Sequence, residues 1–280
     1  YSFSNCSSLI NVNFSDKLTV INEGAFKGCI SLKEIVLPAS LEKIDNRVFE
    51  GCTNLKKITF PDEIKILGEY IFSGCCSLEN VSFPKKLNSI PVGFLYQCSS
   101  IAEFELSNID YLTTICENSF RDCASLKQIN IPETVKIIEE NAFNGCKALI
   151  NIEIPQFLAS ISESAFMNCT SLEKVTFSKD ALTSIEDHCF DGCISLKEID
   201  IPSSVSIIHE YAFSGCKSLH KIVIPESVNL IEPNAFLNCS SLTDLQISST
   251  STKICDDCFK GCASLNIKYA IKEDNNYLDV

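Results

Sequence analysis

Apolar positions along the chain recur in a fixed register that is longer than any helical or strand period. A cysteine marks it, at Cys6, Cys29, Cys52, Cys75, Cys98, Cys123, Cys146, Cys169, Cys193, Cys216, Cys239 and Cys262, with gaps of 23 to 25 residues. Three residues earlier stands Phe, as at Phe26, Phe49, Phe72, Phe143 and Phe213, often preceded by Ala, as at Ala25, Ala142 and Ala212. Three residues later comes Leu, as at Leu32, Leu55, Leu126 and Leu219. Six and eight residues past the cysteine lie two more apolar side chains, for example Ile129/Ile131 and Ile222/Ile224. Pro follows (Pro38, Pro61, Pro84, Pro132, Pro155, Pro202, Pro225), and then a second apolar pair such as Val135/Ile138.

Each slot has a physical reason. Alternation at the sixth and eighth positions predicts a short strand with those side chains inward and the fifth and seventh outward. Proline, with no N–H to donate, ends it. The residue before the cysteine is Gly, Asn or Asp in every repeat but one, which predicts a left-handed turn there; Gln97 fits that rule poorly. No single unit can bury its own apolar side, so the units must stack on a continuous core. We number repeats by their cysteines. Residues 1–280 then form one solenoid of about twelve rungs, ending in a short rung at about 262–280 where Ile267/Tyr269 resumes the alternation. The chain opens at Tyr1 with residues like the interior of a repeat, so further residues are expected upstream.

The pattern Ala-Phe-x-Gly-Cys-x-x-Leu-x-x-Ile-x-Ile-Pro-x-x-Val-x-x-Ile resembles the BspA-like class of leucine-rich repeats. The segments Cys123–Phe143 and Cys193–Phe213 match it at nearly every slot, and the resemblance runs from Phe3 to about Tyr269. It implies an α/β-type repeat solenoid: a curved right-handed coil with a parallel β-sheet on the concave face and short-strand, turn or irregular structure elsewhere. It also implies a non-enzymatic adhesion module, secreted or displayed at a cell surface, that binds a host or matrix protein or another macromolecule. A cytoplasmic scaffold or regulatory interaction module is the rival reading, which many free thiols would suit. A structural spacer is a third.

The pattern breaks most in repeat five, where Leu95 takes the Phe slot, Phe94 the Ala slot, Phe104 an Ile slot and Ser107 the Pro slot. Two extra residues fall within Ser107–Tyr111. Ser178 and Ser248 replace Pro in repeats eight and eleven, and repeat eight gains a residue near Lys179. The Pro-slot changes and the insertions follow the strand, so they lie along one rim, where specificity or tolerated drift would both collect.

Composition narrows the function. A net charge of −13 argues against nucleic acid, whose phosphates require a Lys/Arg surplus. No apolar run reaches the roughly 18 residues of a membrane span. Seventeen cysteines could signal disulfides or metal. Stacked slots stand about 4.8 Å apart, however, and parallel Cβ atoms at that spacing exceed the usual disulfide range. Buried, reduced thiols are therefore expected, with Cys189 and Cys258 in the Ala slot and Cys116 and Cys255 as accessible exceptions. Cys255-Asp-Asp-Cys258 lacks four convergent zinc ligands. His188, His209 and His220 occupy different repeats, and no nucleophile–base–orienter set is predicted. Neither cofactor, metal nor catalytic residue is expected. Asn-x-Ser/Thr triplets at Asn5, Asn13, Asn80, Asn168 and Asn238 would matter only in a eukaryotic secreted protein.

The informative surface is the outward strand positions, which differ from rung to rung over constant core slots. The candidate binding residues are Glu34, Lys57, Thr59, Glu103, Glu105, Gln128, Asn130, Asn151, Glu153, Lys174, Thr176, Glu198 and Asp200. Val36, Asn80/Ser82, Lys221/Val223 and Asp244/Gln246 continue the same two columns.

Overall fold

A computed structural model describes residues 1–106, 109–178, 181–263, 265–270 and 277–279. The alternating segment forms a strand in each rung, from Lys57–Ile58 to Asn266–Ala270, and these pair in parallel at one-rung offsets, as Asn151↔Lys174 and Leu245↔Ile267. We call this the front ladder. Single bridges, Glu34↔Lys57 and Asp200↔Val223, extend it. Ile267 and Tyr269 pair with Leu245 and Ile247, so the short last rung keeps register, and Tyr277–Asp279 turns back antiparallel against it.

The strand length follows from proline. Where the later rung of a pair carries Pro, the pairing covers at most two residues, as for Glu103↔Gln128 and Phe104↔Ile129, or a single bridge, as for Asp200↔Val223. Ser178 and Ser248 supply the missing donor: their N–H groups bond Ile154 O at 3.0 Å and Ile224 O at 2.9 Å. There the pairing covers four residues, Asn151–Ile154 with Lys174–Phe177 and Lys221–Ile224 with Asp244–Ile247.

A second ladder, at the positions where the sequence shows only an apolar pair, runs along another side. Eleven two-residue strands from Val20–Ile21 to Lys253–Ile254 delimit ten turns, and their second residues (Ile44, Ile138, Ile208) point into the core. In the rest of each rung, the Phe and Gly-slot N–H groups donate to carbonyls of the next rung, as Phe143 to Ala165 O and Gly145 to Met167 O, both at 2.8 Å. Backbone donors thus pair both between rungs and within each rung's turns, although no rung holds more than short strands.

The α/β label does not hold: among the described residues there is no helix, and the architecture is a parallel-strand β-solenoid. The reason is local. Besides the expected left-handed residue before each cysteine, a second stands five before it, as Arg47, Tyr70, Asn118, Asn141, His188 and Tyr211 with φ of 53° to 56°. Only three residues separate the two kinks, less than one α-helical turn. Gln97 also adopts φ 61°, held by backbone bonds from its own N–H to Arg121 O and from Gly74 N–H to Tyr96 O. Sequence could have disclosed the second kink, because Gly24, Gly93, Asn234 and Asp257 occupy it elsewhere.

The core is a set of stacked columns. Phe rings from Phe3 to Phe72, and again from Phe120 to Phe259, lie 5.1–5.7 Å apart and within 16° of parallel. Offset stacking at the rung spacing is a favourable aromatic arrangement. Repeat five interrupts it. Phe94 meets Phe72 edge-on at 76°, and Phe104 fills the place Leu95 leaves, 5.2 Å from Phe120. Of the expected rim insertion, Ser107 and Asn108 lie outside the described residues; Ile109 is buried and Tyr111 exposed. Lys179 also lies outside them.

Candidate functional site

All thirteen candidate residues are exposed, and each is separated from the next outward position by a buried one, as in Lys57-Ile58-Thr59 and Glu103-Phe104-Glu105. The inward partner is anchored in the core, so the outward side chain has a fixed place along the ladder.

Shallow grooves run across this face. One of about 360 Å³ is lined by Lys57, Thr59, Asn80, Ser82, Glu103, Glu105, Gln128 and Asn130, spanning four rungs. A neighbour of about 400 Å³ joins Glu34 to Lys57 and Thr59. Another, of about 470 Å³, joins Glu103, Gln128 and Asn130 to Asn151, Glu153 and Thr176. A fourth, of about 210 Å³, joins Lys174 and Thr176 to Asp200. The grooves share residues, so they form a track from Glu34 to Asp200. Glu198 lines none of them, whereas Asn80 and Ser82, outside the chosen set, line the central one. The outward groove lining is mostly amide, hydroxyl and carboxylate, with Lys57, Lys127 and Lys174 as its cations, whereas the groove at Glu34 is mainly apolar, lined also by Val36, Ala39, Phe60 and Pro61.

The cysteines do different work. In successive rungs the thiol donates to the carbonyl of the residue in the preceding rung's Phe slot, as Cys52 to Phe26 O at 3.1 Å and Cys146 to Phe120 O at 3.2 Å. Burial pushes the Cys52 and Cys169 thiols up to about 12, so they stay protonated and inert. All the cysteines are free. Cys189 and Cys258 are buried and Cys116 and Cys255 half-buried, as expected, but Cys6 and Cys76 are exposed and Cys262 half-buried as well. Cys6 has no earlier rung against it, and Cys76 sits one past its slot, beyond the core.

The model of the BspA type leucine-rich repeat region matches over residues 1–112, 96–183 and 179–278, in six copies. A leucine-rich repeat protein from Bacteroides ovatus is 30% identical, with 95% of this chain and 74% of that one covered and a TM-score of 0.78. A leucine rich cell surface protein from Faecalibacterium prausnitzii is 28% identical over 94% of this chain and 79% of that one, at a TM-score of 0.57. The pneumococcal vaccine antigen PcpA, 18% identical over 91% and 72% with a TM-score of 0.53, shares the fold alone. No significant match was found among curated proteins. No catalytic family is indicated, and leucine-rich repeat proteins generally serve as protein-interaction modules. With the family pattern matched along nearly the whole chain and its rungs stacked in register, this protein belongs to the BspA-type leucine-rich-repeat family.

Proposed function

We propose that residues 1–280 act as one non-enzymatic recognition domain, binding a protein or other extended macromolecule along the front ladder, at a cell surface or after secretion. The observation that carries this is the continuous track of grooves from Glu34 to Asp200, whose outward side chains change with each rung while the core slots stay constant. Grooves that span several outward columns fit a face that curves inward. A binding site built from several rungs also matches the area a specific interface needs. The surface location rests on the similarity to the Faecalibacterium cell surface protein. The paired carboxylates of Glu103 and Glu105 in the central groove favour a partner with basic groups.

The test begins with an array of extracellular matrix and cell-surface proteins probed with the full chain. For the strongest binder, reversing Glu103 and Glu105 to Lys is expected to weaken affinity at least about tenfold and flatten its salt dependence. Glu163→Lys and Glu210→Lys, exposed in the turn before the cysteine slot, are expected to leave affinity unchanged. Loss of binding in those controls, with none from the front reversal, overturns the assignment.

A further inference from the structure

The residue that follows each second-ladder strand makes a column of its own, seven positions before the cysteine. In repeats eight to ten it reads Glu186, His209 and Glu232. With Asp187, which follows Glu186, these side chains converge. Asp187, His209 and Glu232 each offer one ligand atom, and the three atoms lie within 4.8 Å of one another. His209 Nδ1 stands 3.0 Å from Glu232 Oε2, and its Nε2 stands 3.9 Å from Glu186 Oε2.

Three carboxylates thus surround one imidazole, all half-buried. A protonated ring would offset one of them. Among the described residues, no lysine or arginine forms an ion pair with Glu186 or Glu232. Holding the remaining charges together on stacked rungs is unfavourable unless a cation joins them. The supports are already in place: the Glu210 N–H donates to Asp187 Oδ1 at 2.9 Å, and the Ser184 hydroxyl donates to Glu186 Oε1. A mixed imidazole and carboxylate set suits a first-row transition ion better than calcium or magnesium, which prefer oxygen alone.

We propose that Asp187, His209 and Glu232 bind one divalent transition-metal ion of the zinc class, with Glu186 orienting the imidazole from its other side. Zinc with bonds of about 2.0–2.1 Å holds its tetrahedral donors about 3.3 Å apart. The His209–Glu232 pair is already at 3.0 Å. The widest separation, 4.8 Å, closes with a movement of about 1.5 Å, within reach of half-exposed carboxylates. Three protein ligands leave one position for water or for a group on another molecule. This column is distinct from the outward front positions, so the site stands independently of the proposed recognition face.

Cobalt(II) is the probe, because its absorption spectrum separates nitrogen and oxygen ligation from thiolate ligation at the accessible cysteines. The full chain, with those cysteines alkylated, is expected to bind one equivalent with a nitrogen/oxygen spectrum, to lose it to added zinc, and to melt at higher temperature when loaded. His209→Asn and Asp187→Asn are each expected to weaken binding at least about tenfold, and Glu186→Gln by about 10–100-fold. Metal-free circular dichroism melts establish that each variant folds. Undiminished binding in folded His209→Asn and Asp187→Asn, a thiolate spectrum, or no binding by the intact chain overturns the proposal.

Discussion

A cysteine rather than alanine or serine fills the twelve-fold slot because the position asks for two things at once. From Cys29 to Cys239 it must be small and apolar enough for a fully buried column, and it must donate to a carbonyl of the rung before, as Cys169 does to Phe143 O at 3.2 Å. Alanine lacks the donor, and serine carries a larger desolvation cost. Cys146→Ala should therefore destabilise by about 1–2 kcal/mol, read from urea melts. Thiol reagents should label Cys6, Cys76, Cys116, Cys255 and Cys262 in the native state and the remainder only after denaturation. Cys116 should react slowly despite its exposure, because burial, with the Glu139 carboxylate adding to it, pushes it up to about 11. The pH dependence follows with a definite sign. Folding raises these thiols from an ordinary value of 9.0 to about 12 at Cys52 and Cys169. The unfolded chain therefore binds fewer protons between those values. The thiol contribution to stability is complete below pH 9.0 and is lost as pH rises toward about 12. Cys169→Ala should reduce the slope of stability against pH across that window, and an unchanged slope would contradict the account.

Among elements, the Phe column distinguishes interior rungs from terminal ones. Phe143 has a parallel ring on each side and no exposure, whereas Phe259 is half-buried with a ring contact to Phe236. Phe143→Ala should cost about 3–5 kcal/mol and Phe259→Ala less, because stability in a stack is summed from neighbours. Repeat five supplies a sharper test, since its irregular residues compensate one another. Leu95→Phe alone should cost about 1–3 kcal/mol by overpacking against Phe104. Adding Phe104→Ile, which restores the family residue at both slots, should recover most of that loss in a double-mutant cycle. Additive losses would show that the two positions do not share one space.

At the scale of the whole molecule, the stack is not uniformly joined. The second ladder is unpaired between Ile66–Leu67 and Ser89–Ile90, and the front ladder between Asn80–Val81 and Glu103–Phe104. The Phe column turns edge-on at the same place, between Phe72 and Phe94. Outside repeat five, whose Phe104 also meets Phe120 edge-on at 68°, the ring stacking continues. Local opening begins where backbone pairing is sparse. Hydrogen exchange should accordingly show faster exchange across residues 80–104 than across either flank, as a boundary between two opening units. Uniform protection through that region would contradict the reading.

The repeat by itself determined the stacking, the core slots, the outward columns and the left-handed turn before the cysteine. Each of these is written in residue type at a fixed spacing: an inward Ile beside an outward Glu, a Gly where φ must be positive. What only the tertiary structure decided involves residues from different rungs. The second ladder is not legible in the sequence because Ile137–Ile138 is a two-residue strand with no alternation of its own, existing only through pairing with Thr114–Ile115 and Ser160–Ile161. No helix forms among the described residues, and the α/β label fails, because two left-handed residues per rung leave no room for a turn between them. The thiol-to-carbonyl bonds and the cluster around His209 span neighbouring rungs, 22 to 28 residues apart along the chain. Their chemistry arises from stacking, which brings remote positions to within a few ångströms.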